Sequence, residues 1–278
     1  MAVCYRFFIF NGMEIIQNAP IQFSCYYSRT RQGEQFVPEH ALGFVVSGTT
    51  TLNDGINPQT FTSGDLFFCR RNNLVKYLKE PPEGDEFRSV SIYFTQDMLR
   101  EISIKYGYKA LKKMATPAYT KLDGNSVLAN YMNSLREYED LFNQQPDSPL
   151  YRVKQEEAIL LFLKLYPELV NVLFDFSEPG KIDIEAFMQK NYHFNVDINR
   201  FAYLTGRSLS GFKRDFEKAF SLSPGRWLLQ RRLQEAYYLI KEKKKAVSDV
   251  YVDLGFEDLS HFSFAFKKQY GLPPSKVH

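Results

Sequence analysis

Between Ser208 and Glu217 the chain reads Ser-Leu-Ser-Gly-Phe-Lys-Arg-Asp-Phe-Glu. At helical spacing this puts Phe212 and Phe216 on one face and Ser208, Ser210, Lys213, Arg214 and Glu217 on the flank beside it. Fifty residues later the same spacing returns, with Phe262 and Phe266 on the apolar face and Ser260, His261, Ser263, Phe264, Lys267 and Lys268 on the flank. Lysine and arginine donate to guanine edges and to phosphate oxygens, serine serves either partner, and a phenyl ring can meet a thymine methyl. The chemistry on offer is recognition of a polyanion with readable edges, not bond making.

Other chemistries are poorly supplied. The four histidines are His40, His193, His261 and His278, and only His40, next to Glu39, lies in the first half. A catalytic metal needs several ligands converging on one point, so no metal, no cofactor and no enzymatic activity are expected. The cysteines Cys4, Cys25 and Cys69 are too sparse for a disulfide framework and suit a reducing cytoplasm. No apolar run approaches the roughly 20 residues of a membrane span. The opening Tyr5-Arg6-Phe7-Phe8-Ile9-Phe10 reads as an extra strand, or as a leader before a start at Met13. The net charge of +3 is unevenly spread: residues 180–278 carry 17 basic and 11 acidic side chains, and the rest carries 18 and 21. A basic module attached to an acidic one fits a polyanion partner.

The elements that must hold these flanks are legible as a duplication. A shift of 50 aligns Leu204 with Leu254, Leu209 with Leu259, Phe212 with Phe262, Phe216 with Phe266, Lys218 with Lys268 and Pro224 with Pro274. Each copy reads as a short helix (197–204; 248–254), a tight turn, and a second helix opened by a capping residue, Ser208 or Asp258. That is the helix-turn-helix plan, whose second helix enters the major groove. A long helix from Pro224 to about residue 243 joins the copies, with Trp227, Leu228, Leu233, Ala236 and Ile240 as its core stripe. Of Arg231 and Arg232, one is expected in an internal salt bridge and the other, assigned to Arg232, on a phosphate. Lys241 and Lys243 to Lys245 are expected to complement the helix dipole.

The first hundred residues read as short strands punctuated by turns at 53–55, 63–65 and 81–85. From Thr95 onward the spacing is helical, with apolar stripes over 127–142 and 150–165 broken at Gln145 to Pro149. These helices are expected to cover the β core and to supply a homodimer surface, with Leu160 and Leu163 on it. Ser177-Glu178-Pro179-Gly180-Lys181 reads as a linker. The expected architecture is α+β with two domains: 1–176, a cupin-like β-barrel with two or three helices for effector binding and dimerisation; 177–181, the linker; and 182–278, an all-α double helix-turn-helix domain.

The stretch Ser221 to Ile240 (SLSPGRWLLQRRLQEAYYLI) and the stretch Gly255 to Ser275 (GFEDLSHFSFAFKKQYGLPPS) resemble the C-terminal domain of the AraC/XylS family of bacterial transcription regulators. The resemblance covers roughly residues 182–278; the N-terminal half is more loosely similar to the family's cupin-like effector domains. It implies a cytoplasmic, sequence-specific regulator of transcription that binds double-stranded DNA as a homodimer. It also implies activation through RNA polymerase and a response to a small-molecule effector whose site the sequence leaves open. In the family an arginine often stands where this chain has Phe264. The departure implies that the first motif reads sequence while the second anchors phosphates through Lys267 and Lys268.

Overall fold

The structure, a computed structural model, describes residues 19–31, 35–145 and 148–277. Cys4, the apolar run at 5–10 and Met13 lie outside the described residues.

Among the described residues the N-terminal half has ten strands: β1 (Ile21–Tyr26), β2 (Phe36–Val37), β3 (His40–Ser47), β4 (Thr49–Asn53), β5 (Gln59–Thr62), β6 (Leu66–Cys69), β7 (Asn73–Leu74), β8 (Lys76–Glu80), β9 (Phe87–Phe94) and β10 (Tyr119–Leu122). They form an antiparallel five-stranded sheet in the order β1-β9-β3-β6-β10, a three-stranded sheet in the order β5-β4-β8, and a β2-β7 pair. The barrel is therefore open. A register shift between Val45 and Ser47 bends β3, and Gly48 then turns the chain into the second sheet. Gly48 has φ +79°, and a Cβ there would stand 2.4 Å from the Glu80 carbonyl, so only glycine makes this corner without strain.

One face of the larger sheet, with Val45, Phe67 and Phe87, packs on Leu52 and Phe61 of the smaller one to make the inter-sheet core. Its other face carries Leu42, Phe44, Phe68, Ile92 and Phe94 and is roofed by helices. These are α1 (Gln96–Tyr106), α2 (Ser126–Ser134), α3 (Glu139–Gln144), α4 (Pro149–Leu165) and α5 (Val170–Leu173), two more than the upper expectation of three. Thr95 caps α1 by accepting from the Met98 N–H, and Ser148 caps α4 ahead of Pro149. The first apolar stripe is not one helix, because a 3-10 turn at Leu135–Tyr138 separates α2 from α3. Leu163 is buried in this core and so is a packing residue, whereas Val153 on the same helix is 58% exposed. The expectation that Leu163 lies on a surface is corrected: in α4 it shares the inward face with Ile159 and Phe162.

Residues 175–183 carry no helix or strand. The C-terminal half follows as α6 (Ile184–Asn191), α7 (Ile198–Leu204), α8 (Leu209–Phe220), α9 (Pro224–Lys241), α10 (Val247–Asp253) and α11 (Leu259–Tyr270). It has two small cores. Phe201, Phe212, Phe216, Trp227 and Leu228 gather in the first; Leu233, Ala236, Val250, Phe262 and Phe266 gather in the second. The front half of α9 serves one and its rear half the other.

The two halves of the chain touch. Phe36 and Leu74 join the first helical core, and the Arg200 guanidinium lies 4.6 Å from the centre of the Phe36 ring. The Asn195 N–H donates to Gln35 at 2.9 Å, Lys76 donates to the Asp253 carbonyl, and Arg31 pairs with the Asp253 carboxylate at 3.4 Å.

Two buried histidines make this fold acid-sensitive. Burial, with Arg71 and Arg70 nearby, pushes His40 down to about 3. Burial, with Lys76 and Arg232 nearby, does the same to His193 despite Asp54. Both stay neutral when folded but take a proton near pH 6.5 when unfolded, so their stabilisation is complete above that pH and is lost as pH falls toward 3. Between pH 7 and pH 5 each should cost about 2 kcal/mol. Thermal melts at the two pH values should show His40→Gln or His193→Gln removing about half of the wild-type difference. Unchanged pH sensitivity in both variants would contradict the assignment.

Candidate nucleic-acid interface

α8 and α11 occupy equivalent places in the duplication, and each is built in the same way. Ser208 accepts from the Gly211 N–H at 3.2 Å, and Asp258 accepts from the His261 N–H at 2.6 Å. Each cap satisfies one orphan donor and fixes where the helix begins. Phe212 and Phe216 in α8, and Phe262 and Phe266 in α11, are fully buried and set which flank faces outward. The preceding helices α7 and α10 end in turns at Gly206 and Gly255, both with positive φ.

On α8 the outward flank is Ser208, Ser210, Lys213, Arg214 and Glu217, all exposed. Asp215 stands behind it, 3.1 Å from Arg207 and 3.4 Å from Arg214. Hydrogen bonds first from Arg207 and then from Arg214 hold its carboxyl below the usual carboxylate range. Arg214 is thus oriented by a neighbour while its guanidinium stays in solvent, a useful state for a group that must meet a base edge. On α11 the flank is Ser260, His261, Phe264, Lys267 and Lys268, exposed, with Ser263 half-buried. Phe264 is 70% exposed and points away from the core. A phenyl ring in water on this flank stands where α8 presents Arg214.

Arg232 does not belong to this surface. Its guanidinium donates to the carbonyls of Tyr192 at 2.7 Å, Phe194 at 2.7 Å and Gly255 at 2.9 Å. Burial lowers it to about 10. The expectation of a phosphate contact is corrected, because each of its three nitrogens is held by a main-chain carbonyl inside the domain. Arg231 is also engaged, with Glu235 at 3.1 Å and over the Tyr192 ring at 4.3 Å. The pair of Arg231 with Glu235 follows helical spacing, but the role of Arg232 was not assignable from it, since its carbonyl partners lie 23 to 40 residues away.

His40 in the β half is buried, stacks on Phe68 at 5.5 Å, and accepts from the Arg71 N–H through Nδ1 at 3.3 Å. Its role is in packing.

Comparison with known proteins agrees with this geometry. Residues 201–278 match the family described as a helix-turn-helix domain, and residues 40–172 match the family described as the ExsA N-terminal regulatory domain. The HTH-type transcriptional regulator ExsA of Pseudomonas aeruginosa is 23% identical over 255 residues, covering 91% of each chain. The chain belongs to the AraC/XylS family of transcription regulators. Like other members of the AraC/XylS family, it is a sequence-specific DNA-binding regulator of transcription. The virulence regulon transcriptional activator VirF of Yersinia enterocolitica is 29% identical over 94 residues, 34% of this chain and 35% of that one. Among solved structures, ToxT of Vibrio cholerae aligns over 92% of this chain and 97% of its own, with a TM-score of 0.40 and 12% identity. A probable AraC family transcriptional regulator from Rhodopseudomonas palustris aligns over 34% of this chain and 89% of its own, with a TM-score of 0.30 and 26% identity.

Proposed function

We propose that this AraC/XylS regulator reads DNA with α8 and α11 in successive major-groove segments and activates transcription as a homodimer in response to a small-molecule effector. The observation that carries the reading is the pair of outward flanks, each starting at a capped helix end and held on one shared helix, α9. Capped amino ends and the lysines of α11 suit phosphates, and the side chains of α8 suit base edges. Contact with RNA polymerase, a cytoplasmic location and a non-enzymatic role belong to the same proposal. No helix among the described residues is long and apolar enough to cross a membrane.

The proposed division is an effector and dimerisation domain at 1–176, a linker at 177–181 and a DNA-binding domain at 182–278. Selection of duplexes from a random pool by the full chain should yield a consensus with two contact blocks about one helical turn apart. Adding pooled cell metabolites should change its affinity. The fragment 176–278 should select the same consensus more weakly, because it loses the dimer's second attachment and so the gain in effective concentration. A fragment with no DNA affinity, or one whose DNA activity resides in 1–176, would overturn the division.

The dimer surface proposed is the outer face of α4. Val153, Leu160 and Leu161 line a shallow groove there, edged by Lys105, Glu156, Glu157 and Lys164. Charges of both signs along one helix allow a second copy to pack antiparallel with each lysine near a glutamate. Val153→Glu with Leu160→Glu should give a soluble monomer by light scattering, with an unchanged circular dichroism spectrum. A variant that stays dimeric would place the interface elsewhere.

A further inference from the structure

The α6–α7 loop, residues 192–197, meets α9, the turn of the second motif and the N-terminal half. It carries the Tyr192 and Phe194 carbonyls that accept from Arg232 of α9. It also abuts the turn of the second motif: a Cβ on Gly255 would stand 2.9 Å from the His193 carbonyl and 3.2 Å from the Arg232 guanidinium carbon. The same guanidinium donates to the Gly255 carbonyl itself. Asn195 donates to Glu257 from its side chain at 3.4 Å and, through its main-chain N–H, to the side-chain oxygen of Gln35 in the N-terminal half.

A shared helix fixes the separation of two motifs but not their rotation. Beyond α9 the chain passes through residues 242–246, where Lys244 has φ +52°, and no core residue of the second motif lies in that stretch. The second core seats α10 and α11 on the rear half of α9, and a polar tie to the front of the domain holds that seat at one angle. Arg232 makes this tie, because its planar fork holds three carbonyls at once, two from the α6–α7 loop that leads into the first motif and one from the turn of the second. Its stem is anchored midway along α9, between Arg231 and the buried Leu233.

We propose that Arg232 is a positioning residue for DNA recognition: it locks the angle between α8 and α11, and so sets the half-site spacing the protein accepts. The inference rests on the reading that both helices contact one duplex. A rigid pair binds its second block at high effective concentration only when the spacing matches, whereas a loosened pair gains less and discriminates less. Adding or removing one base pair rotates the second block by about a tenth of a turn, enough to break a fixed register.

The test uses the full chain and a duplex carrying the consensus that the wild type selects from a random pool. Three companions have one base pair inserted, one removed, or the second block scrambled. Binding is measured for wild type, Arg232→Gln and Arg232→Lys, with melting temperatures in parallel. Arg232→Gln should bind the scrambled duplex within about twofold of wild type, the intact duplex about tenfold more weakly, and the two altered spacings within about threefold of the intact one. Arg232→Lys keeps the charge but cannot span three carbonyls, so its spacing discrimination should also relax; if the glutamine variant does not fold, this variant decides. Wild-type spacing discrimination in Arg232→Lys, or equal weakening of intact and scrambled duplexes by Arg232→Gln, would overturn the proposal. A selected consensus with a single block would overturn both this inference and the two-helix reading on which it rests.

Discussion

Arg214→Ala should relax base preference at one or two positions of one contact block, while Phe264→Ala should alter at most a thymine preference in the other. The two residues are equivalent in the fifty-residue duplication and both face solvent, so position does not separate them. Their chemistry does. A guanidinium can donate two parallel bonds to guanine O6 and N7, worth about 1–3 kcal/mol of discrimination, or roughly 5- to 150-fold. A phenyl ring offers apolar contact with a methyl group and no directional bond. Asp215 restrains Arg214 at 3.4 Å without burying it, which lowers the entropy lost when the base is met. The outward turn of Phe264 removes the alternative that the ring serves the crowded second core. There Phe262, Phe266, Tyr237 and Tyr270 already stack on one another at 4.7 to 6.3 Å. A base-by-base binding profile of the two variants is the measurement. Equal, guanine-centred losses from both would show that the second motif reads sequence as sharply as the first.

Phe216→Ala should cost about 3–5 kcal/mol and abolish DNA binding without unfolding the N-terminal half. The ring is completely buried and touches Phe212, Phe220 and Trp227, with centroids at 5.5, 4.4 and 5.6 Å. These rings join α8 to α9, and no larger core stands behind them to close the cavity. A domain of this kind holds about 5–15 kcal/mol in total, so the loss is a large share of its stability. The β half keeps its own cores around Phe61 and Phe162, neither of which contains a residue of α8. Limited proteolysis should therefore cut the variant within residues 184–278 first and leave a resistant N-terminal fragment. Melting of the whole chain in one step, with both halves cleaved together, would mean that the Phe36 and Leu74 contact couples them more tightly than two separate cores imply.

Several features were legible in the sequence because the forces behind them are local. The caps at Ser208 and Asp258, the start of α9 at Pro224 and the inward phenylalanines all follow from hydrogen bonds and spacings within about four residues, and the duplication repeats that local pattern fifty positions on. Strands β3, β6 and β9 declared themselves in the same way, through β-branched and aromatic runs bounded by glycine turns. The outward flanks of α8 and α11 followed at once, because a helix with one face buried has no freedom in where the other points.

The tertiary structure decided what depends on groups far apart in the chain. Arg232 and Arg231 are adjacent arginines on one helix, and only the carbonyls of Tyr192, Phe194 and Gly255 give the first an internal role. Leu160 and Leu163 are alike in type, yet the sheet beneath α4 buries the second and leaves the first at the rim of a groove. The open barrel depends on a bulge near Val45 and on the Gly48 corner against Glu80, a pairing that no period in the sequence announces. The bond from Lys76 to Asp253 spans 177 positions. A chain shows its periods and its caps in its own letters, but a side chain with several possible partners takes the one that folding brings within reach.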